Sequence, residues 1–184
     1  MNIKIIPCTT SHIEALGKHF ARLRAESGRN GNHFMPFAPN SPEGPRGPDQ
    51  LKLNLPLHVP GWERCFIALD PDNSAAIIGH VDLKGGRLAT EMHRCVLGIG
   101  IEEAYCNQGL GTALMHAAIS YAQGEVQLAW IELGVFSSNL RARALYKKMG
   151  FAEFVMVPDR FRIDGAVIDD VMMLLKLNRI ISEQ

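Results

Sequence analysis

Long apolar runs and paired cysteines are both absent from this sequence of 184 residues. No segment approaches the roughly 18 consecutive apolar residues of a transmembrane helix, and the apolar run at the N-terminus is too short for a signal peptide. The four cysteines (Cys8, Cys65, Cys95 and Cys106) form no Cys-x-x-Cys pair, which argues against a zinc site. Three of them lie in apolar, strand-like runs, where we expect buried, reduced thiols. We therefore predict an intracellular, cytoplasmic protein that binds neither a metal nor a membrane.

An excess of charge of one sign is also missing, because 19 Lys and Arg residues balance 19 Asp and Glu residues. Nucleic-acid binding depends on a broad basic field, so a nucleic-acid partner is not expected. Apolar residues make up 47% of the sequence, which is typical of a globular protein, and the length suits one domain over residues 1–184.

Proline is scarce except in one segment, since seven of the ten prolines lie between residues 27 and 62. This density of proline and glycine favours a long irregular loop. The apolar residues of the segment, among them Phe34, Phe37 and Trp62, indicate that the loop is docked on the domain. We expect one short helix in it, near residues 51–55.

Apolar periodicity divides the rest of the chain into strands and helices. Leu110, Leu114 and Tyr121 fall on one face of a helix that Gly124 is placed to end. The predicted strands are residues 2–8, 64–69, 75–83, 93–101, 127–136, 151–157 and 166–177. The predicted helices begin near residues 10, 109 and 139 and end near residues 26, 124 and 149. Such mixing indicates an α/β fold with helices on the faces of one sheet.

Two glycines mark the point where the fourth predicted strand gives way to a helix. Gly109 and Gly111 lie in the stretch CNQGLG, residues 106–111. Small residues at a helix N-terminus let backbone N–H groups approach a phosphate. A P-loop is excluded because no Lys follows the glycines, and a dinucleotide fingerprint is excluded because residue 114 is Leu. A short Gly-x-Gly is equally compatible with an ordinary tight turn, so the ligand depends on other residues.

The next helix supplies those residues. Asn139, Ala142 and Tyr146 lie three and then four positions apart, so they share one helix face. An Asn, a small residue and a phenol form a polar line where a plain amphipathic helix would more often carry Leu.

Together the two patterns resemble the GNAT superfamily of acyl-CoA-dependent N-acyltransferases, over residues from about 93 to 177. The superfamily's central motif, [QR]-x-x-G-x-[GA], is matched by CNQGLG except that Cys106 replaces Arg or Gln. Its second motif, N-x-x-A-x-x-x-Y-x-x-x-G-F, is complete from Asn139 to Phe151. The resemblance implies a single domain with a mixed, mostly antiparallel sheet of six to seven strands flanked by helices.

The resemblance also implies acetyl-CoA as co-substrate. Backbone N–H groups of the glycine turn would hold its pyrophosphate, and the end of the fourth strand would contact the pantetheine arm and the acetyl carbonyl. Tyr146 would protonate the departing thiolate, a reasonable role for a phenol. The cofactor-binding residues implied are Ile99, Gly100, Ile101, Asn107, Gln108, Gly109, Leu110, Gly111, Thr112, Asn139, Ala142 and Tyr146.

The general base is less well defined. Some relatives carry a Glu where this chain has Cys95, so His93, on the same strand face, is either a candidate base or an anchor of the strand. Glu132 is either a second candidate base or an exposed or structurally hydrogen-bonded acid. A chain of water molecules is a third alternative. We expect Glu102 and Glu103 to be solvated loop acids and His80 to be a satisfied core histidine. A nucleophilic role for Cys106 is disfavoured because no His or Asp relay lies nearby in the sequence.

The acceptor is indicated only by class. The C-terminal hairpin resembles branches that acetylate free amino acids, small amines and protein N-termini. Asp169 and Asp170 would there orient a backbone or attract a cationic amine, or they are a solvated pair near a turn. Segment 27–62 is expected on the acceptor side. The prediction is therefore an N-acetyltransferase for a small molecule or amino acid. A protein N-terminal or lysine acetyltransferase, a non-catalytic acyl-CoA sensor and a homodimeric assembly remain open alternatives.

Overall fold

The computed structural model describes residues 3–37 and 52–177, and seven strands of these residues form one sheet. The strands are β1 (Ile5–Pro7), β2 (Glu63–Leu69), β3 (Ile77–Gly85), β4 (Arg94–Ile101), β5 (Trp130–Phe136), β6 (Ala152–Ile163) and β7 (Ala166–Lys176). Their order in the sheet is β1-β2-β3-β4-β5-β7-β6. Only β4 and β5 are parallel neighbours, and every other pair is antiparallel. The mixed, mostly antiparallel α/β sheet predicted from the sequence is confirmed.

Three α-helices accompany the sheet in the described ranges: α1 (Ile13–Glu26), α2 (Leu110–Gly124) and α3 (Leu140–Lys148). α1 and α2 bury apolar positions at helical spacing, such as Leu16 and Leu23 on α1 and Leu114 on α2, and α3 buries Tyr146. Asn139 caps α3, because its Oδ1 accepts the N–H of Ala142 at 3.1 Å. None of the helices in these ranges combines the length and apolar character that crossing a bilayer requires.

The helices α1 and α2 pack on opposite faces of the sheet. A Cβ atom at Gly79 would lie 3.1 Å from Leu114 of α2, whereas one at Gly100 would lie 2.5 Å from Leu23 of α1. Gly100 is paired with His80, the neighbour of Gly79 on β3, and successive residues of a strand point to opposite faces. The α1 face therefore receives the side chains of His80 and the alternate residues that follow it.

The sheet opens between β4 and β5. The two strands pair only at residues 94–96 with 130–132, although β4 continues to Ile101 and β5 to Phe136. On their outer edges the same strands stay paired with β3 and β7 over their remaining length. A gap between the C-terminal halves of β4 and β5 follows, and we call it the β4–β5 gap.

Two sequence predictions need correction. Strand β6 runs to Ile163 rather than to residue 157, because the chain passes Pro158 and Asp159 by a register shift at the edge of the sheet, where proline is tolerated. Residues 52–55 form turns instead of the predicted short helix, and residue 51 lies outside the described ranges.

Segment 27–62 is described only at its two ends, and residues 38–51 lie outside the described ranges. Hydrogen bonds hold the first end together internally and join the second end to β2. The Oγ of Ser27 accepts the N–H groups of Phe34 and Met35, and Glu63 accepts the N–H of Lys52 at 3.2 Å. The end next to β2 is therefore docked on the sheet, and the docking of the rest of the segment stays a prediction.

Candidate active site

The glycine turn has the backbone shape that its sequence predicts. Asn107 and Gly109 both adopt left-handed conformations, with φ of 60° and 84°. Gly109 is the N-cap of α2, and a Cβ atom placed on it would meet no atom within 4 Å. The turn therefore needs glycine at this position for its conformation and not for space.

The free N–H groups of the turn indicate an anion site. In the part of the chain that the structure describes, the backbone N–H groups of residues 107–112 have no protein acceptor. Leu110, Gly111 and Thr112 form the first turn of α2, where the helix carries partial positive charge. Free N–H groups and a helix N-terminus together suit a phosphate, and this agrees with the pyrophosphate site that the sequence implies.

Gly111 serves a different purpose from Gly109. A Cβ atom on Gly111 would lie 2.9 Å from Leu145 of α3 and 3.3 Å from Ile101 of β4. The absence of a side chain thus lets α3 and the end of β4 approach the turn. The side chain of Gln108 folds back within the turn and donates to the carbonyl oxygen of Ala104 at 2.9 Å.

An arginine of α3 lies beside the unusual residue of the turn. The Nη2 atom of Arg141 lies 3.1 Å from Sγ of Cys106. Cys106 stands where relatives carry Arg or Gln, so a guanidinium from the next helix reaches the same place. The sequence reasoning missed Arg141, although its position two residues after Asn139, at the start of α3, was an available signal.

Tyr146 lies on α3 and is buried. Its exposed fraction is 7%, and burial raises the pKa of its phenol to about 12. The phenol therefore stays protonated near neutral pH and is a hydrogen-bond donor. The Oδ1 atom of Asn139 is engaged in capping α3, so a contact with a ligand would use its amide NH₂ group.

The end of β4 offers backbone groups to the β4–β5 gap. The N–H of Glu102 donates to Ile78 of β3 at 3.1 Å, and the direction of backbone groups alternates along a strand. The groups of Ile99 and Ile101 therefore face the gap, whereas those of Gly100 pair with β3. Of the three predicted strand residues, Gly100 contributes space on the α1 face instead of a backbone contact.

The two predicted bases lie at different distances from this gap. His93 precedes β4 and is exposed, and six residues separate it from Ile99, about 20 Å along an extended strand. Glu132 lies where the pairing of β4 and β5 ends, and its carboxylate contacts Nε of Arg94. Both assignments stay predictions.

A buried polar group on the α1 face was not predicted. The Nδ1 atom of His19 is 2.7 Å from Glu102, and its Nε2 atom is 2.9 Å from Nδ1 of His80. Glu102 is therefore not the solvated loop acid that the sequence suggested, because α1 covers it. His80 is buried in the core, as predicted, and its Nδ1 atom has a hydrogen-bond partner, whereas its Nε2 atom lies 3.6 Å from Asp82. The partners are more than 60 residues apart in the chain, so no local pattern could reveal them.

Two buried carboxylates border the gap on this same face. A Cβ atom on Gly98 would lie 2.8 Å from Asp82, and one on Gly134 would lie 2.7 Å from Asp170. Burial raises the pKa of both carboxyl groups. The neighbouring Asp169 is used differently, since its Oδ1 atom accepts the N–H of Asp159 in the hairpin. The absence of a side chain at Gly98 and Gly134 lets these two carboxylates lie against β4 and β5.

Known proteins share this arrangement of strands and helices. A GNAT-family acetyltransferase from Streptococcus pneumoniae superposes with a TM-score of 0.82 at 20% identity, over 96% of this chain and 100% of that chain. The yncA protein of Salmonella typhimurium, solved with its cofactor acetyl-CoA, has a TM-score of 0.76 at 14% identity, over 100% of this chain and 99% of that chain. At these identities the likeness shows the fold.

The amino-acid sequence is similar to a curated protein and matches a family model. The L-amino acid N-acetyltransferase AaaT of Escherichia coli (strain K12) is 29% identical over 92 residues, which are 50% of this chain and 54% of AaaT. The chain thus spans about half the length of this relative. The model of the acetyltransferase (GNAT) family matches residues 33–151, well over half of the chain. The chain therefore belongs to the acetyltransferase (GNAT) family.

Proposed function

We propose that this chain transfers an acetyl group from acetyl-CoA to the primary amine of a small molecule or amino acid. The observation that carries the proposal is the position of the β4–β5 gap, which has a free N–H cradle at one end and buried carboxylates on its α1 face. Membership of an acetyltransferase family and a fold shared with a protein solved with acetyl-CoA support it.

The residues of the chain fit coenzyme A in a definite order. The N–H groups of residues 107–112 hold the pyrophosphate, and the guanidinium of Arg141 adds a positive charge beside it. Backbone groups of Ile99 and Ile101 bind the pantetheine arm as an added strand would. Asn139 and the small side chain of Ala142 line the same arm from α3.

The chemistry requires positioning, a polarised carbonyl and proton transfer. Acetyl-CoA supplies the activated acetyl group. Backbone N–H groups at the end of β4 polarise the acetyl carbonyl, and Tyr146 donates a proton to the leaving sulfur. The buried phenol is suited to this task because it is protonated over the whole physiological pH range.

The carboxylates of Asp82 and Asp170 support an acceptor that carries a positive charge before it reacts. An amine is mostly an ammonium ion near neutral pH, and carboxylates on two sides attract and orient it. The similarity to AaaT, whose name gives L-amino acids as its acceptors, favours a free amino acid within this class. Segment 27–62 belongs to the acceptor side in this proposal.

Two measurements test the proposal. Calorimetry with acetyl-CoA should give a binding constant, and no binding at high micromolar concentration would refute the site. Release of the thiol of coenzyme A should then be measured with free L-amino acids and polyamines, and with peptides that carry a free N-terminus or a lysine. We expect release with the small amines. Turnover with peptides alone would replace the small-molecule assignment by a protein acetyltransferase, and binding without turnover by any amine would indicate a sensor.

A further inference from the structure

Four buried side chains form a continuous line on the α1 face, from the β4–β5 gap to the surface. We call them the inner relay: Asp82, His80, His19 and Glu102. The three links between successive members measure 3.6 Å from Asp82 to His80, 2.9 Å from His80 to His19, and 2.7 Å from His19 to Glu102. The first link is too long for a hydrogen bond, and the other two are short.

The chemistry of the four groups fixes the direction of the hydrogen bonds. Glu102 accepts from Nε of Arg22 at 2.9 Å and is a carboxylate, so His19 donates to it through Nδ1. The Nε2 atom of neutral His19 then accepts, and His80 donates through Nδ1. This leaves a lone pair on Nε2 of His80, directed at the carboxylate of Asp82. No proton therefore lies between Nε2 of His80 and the carboxylate of Asp82, which agrees with their separation of 3.6 Å.

The two ends of the inner relay lie in different surroundings. Asp82 and His80 stand over Gly98 and Gly100, the side-chain-free positions of β4 beside the gap. At the other end, Glu102 meets the guanidinium of Arg22, whose side chain is 43% exposed. A proton that entered at Asp82 could leave to water at Glu102 by moving along two hydrogen bonds that already exist.

We propose that the inner relay removes the proton that the acceptor amine loses, with Asp82 and His80 as the accepting pair and His19 and Glu102 as the exit. This inference rests on the proposed function and adds the base that the sequence left undefined. Asp82 is the catalytic residue that meets the ammonium group, and His80, His19 and Glu102 are positioning residues that act through it.

The proton balance closes. The ammonium form of the acceptor gives one proton to the link between Asp82 and Nε2 of His80. The Nδ1 proton of His80 moves to His19, the Nδ1 proton of His19 moves to Glu102, and Glu102 releases one proton to water. The free amine then forms the N–C bond while the C–S bond breaks. The second proton lost by nitrogen balances the proton that the leaving sulfur receives through Tyr146.

The surroundings favour neutral histidines and a basic carboxylate. Burial holds the pKa of His80 well below its usual value and lowers that of His19, although Glu102 raises the latter. Burial also raises the pKa of Asp82, while Lys84, whose Nζ is 3.0 Å from Oδ2, opposes the shift. A base with a pKa nearer the working pH is more effective. Charged and titratable groups also face the relay from α1, β2 and β3, namely Arg22, Glu63, Cys65 and Lys84.

A metal site would not explain the same group of residues. Both nitrogen atoms of His19 are engaged in hydrogen bonds, one to Glu102 and one to His80, which leaves no lone pair for an ion. A purely structural network would have no reason to leave one link open at the edge of the gap, because buried polar groups are normally paired.

The first test needs no substrate. Long-range ¹H–¹⁵N correlation spectra of the ¹⁵N-histidine-labelled protein should show both His19 and His80 as neutral Nδ1–H tautomers between pH 7 and 8. Substitution of the exposed His116 by Gln removes one signal and leaves these two unchanged. A neutral His80 protonated at Nε2 would place a proton on the first link and overturn the proposal.

The second test is a pH profile of thiol release with the best amine of the panel. For Asp82→Asn and Glu102→Gln we expect kcat/KM to fall roughly 100-fold at pH 7, the lower end for general acid–base catalysis, with acetyl-CoA affinity unchanged. The deficit should shrink towards pH 9, where more of the amine is free; Asp72→Asn, in an exposed turn, should match the wild type. A deficit equal at every pH, or none, would overturn the relay. If no amine of the panel led to thiol release, the proposed function would be refuted. The histidine spectra would then still show whether His19 and His80 have the tautomers that the relay requires.

Discussion

Gly109 and Gly111 occupy the same turn, yet the structure requires each of them for its own reason. Gly109 has a φ of 84° and open space around its Cα atom, whereas Gly111 lies under Leu145 and Ile101. A residue with a side chain at position 109 meets conformational strain of about 1–2 kcal/mol. A residue with a side chain at position 111 meets α3. Substitutions at the two positions therefore test different parts of the site.

Gly109→Val should weaken coenzyme A binding at least roughly tenfold, because a β-branched residue resists the left-handed conformation that directs the N–H groups of the turn. Gly109→Asn is the matched control, since Asn tolerates this conformation and should retain most of the affinity. Isothermal titration with coenzyme A measures both. Unchanged affinity of the Val variant would mean that the turn is not the pyrophosphate site.

Arg141→Ala should also weaken binding of coenzyme A, by roughly fivefold to tenfold, because one charge-assisted contact to phosphate is lost at an exposed position. The effect should decline as salt is raised from 50 to 500 mM, since screening weakens the wild-type contact. Arg29→Ala serves as the control, because Arg29 is an exposed arginine that follows α1 and belongs to neither sequence motif. Equal losses in both variants would show a general effect of charge instead of a contact at the turn.

Tyr146→Phe should lower kcat roughly 100-fold or more while the dissociation constant for acetyl-CoA stays within about twofold, because the ring is kept and only the proton donor is removed. Stopped-flow measurement of thiol release and calorimetry provide the two numbers. Because burial raises the pKa of the phenol to about 12, we expect no loss of the donor's contribution up to pH 9. A variant with full turnover would remove Tyr146 from the mechanism.

The residues that the sequence identified are those whose signal is local. Asn139, Ala142 and Tyr146 share a helix face at fixed spacing, and Gly109 stands at a helix start, so neighbours in the chain suffice to find them. Glu102 was misjudged because it follows the last residue of a strand and precedes a second acid, whereas its partner His19 is 83 positions away. Contacts made across the sheet depend on the fold and carry no local pattern.

At the scale of elements, the helices were predictable from apolar positions at helical spacing, and most strands from short apolar runs bounded by turn residues. The end of β6 was not, since a proline and an aspartate normally indicate a turn and here lie within an edge strand that shifts register. The β4–β5 gap was equally hidden in the sequence. Apolar periodicity shows that two strands exist but does not show where their pairing stops.

Gly85→Ala tests how closely the end of strand β3 packs against Trp62, the residue before β2. A Cβ atom there would lie 2.2 Å from the indole nitrogen of Trp62, a fully buried ring with little room to move. We expect a loss of about 1–3 kcal/mol in the free energy of unfolding, as for other overpacked sites. Gly124→Ala, at the end of α2 with no atom within 4 Å of the new methyl group, should change it by less than about 1 kcal/mol. Urea titration compares the two, and equal stability would contradict the packing argument.

For the whole molecule, the important feature is that the sheet consists of two halves joined by a short seam. Strands β1 to β4 form one half and β5 to β7 the other, and only residues 94–96 and 130–132 pair across the seam. A ligand bound in the gap would contact β4 on one side and α3, which follows β5, on the other. Binding would therefore hold the two halves together, in addition to filling the site.

Acetyl-CoA should accordingly stabilise the whole fold. A ligand that binds only the native state, at a concentration of 100 times its dissociation constant, adds about 2.7 kcal/mol to the free energy of unfolding. For a chain of this size, that stabilisation raises Tm by roughly 5–11 °C. Thermal unfolding followed by circular dichroism measures the shift. Asp82→Asn should show the same shift, because the N–H groups of the glycine turn are intact, whereas Gly109→Val should show little.

Hydrogen exchange should slow at residues 97–101 and 133–136 together when acetyl-CoA binds, since both edges of the gap are bridged. Slowing at only one edge would mean that the ligand does not span the two halves.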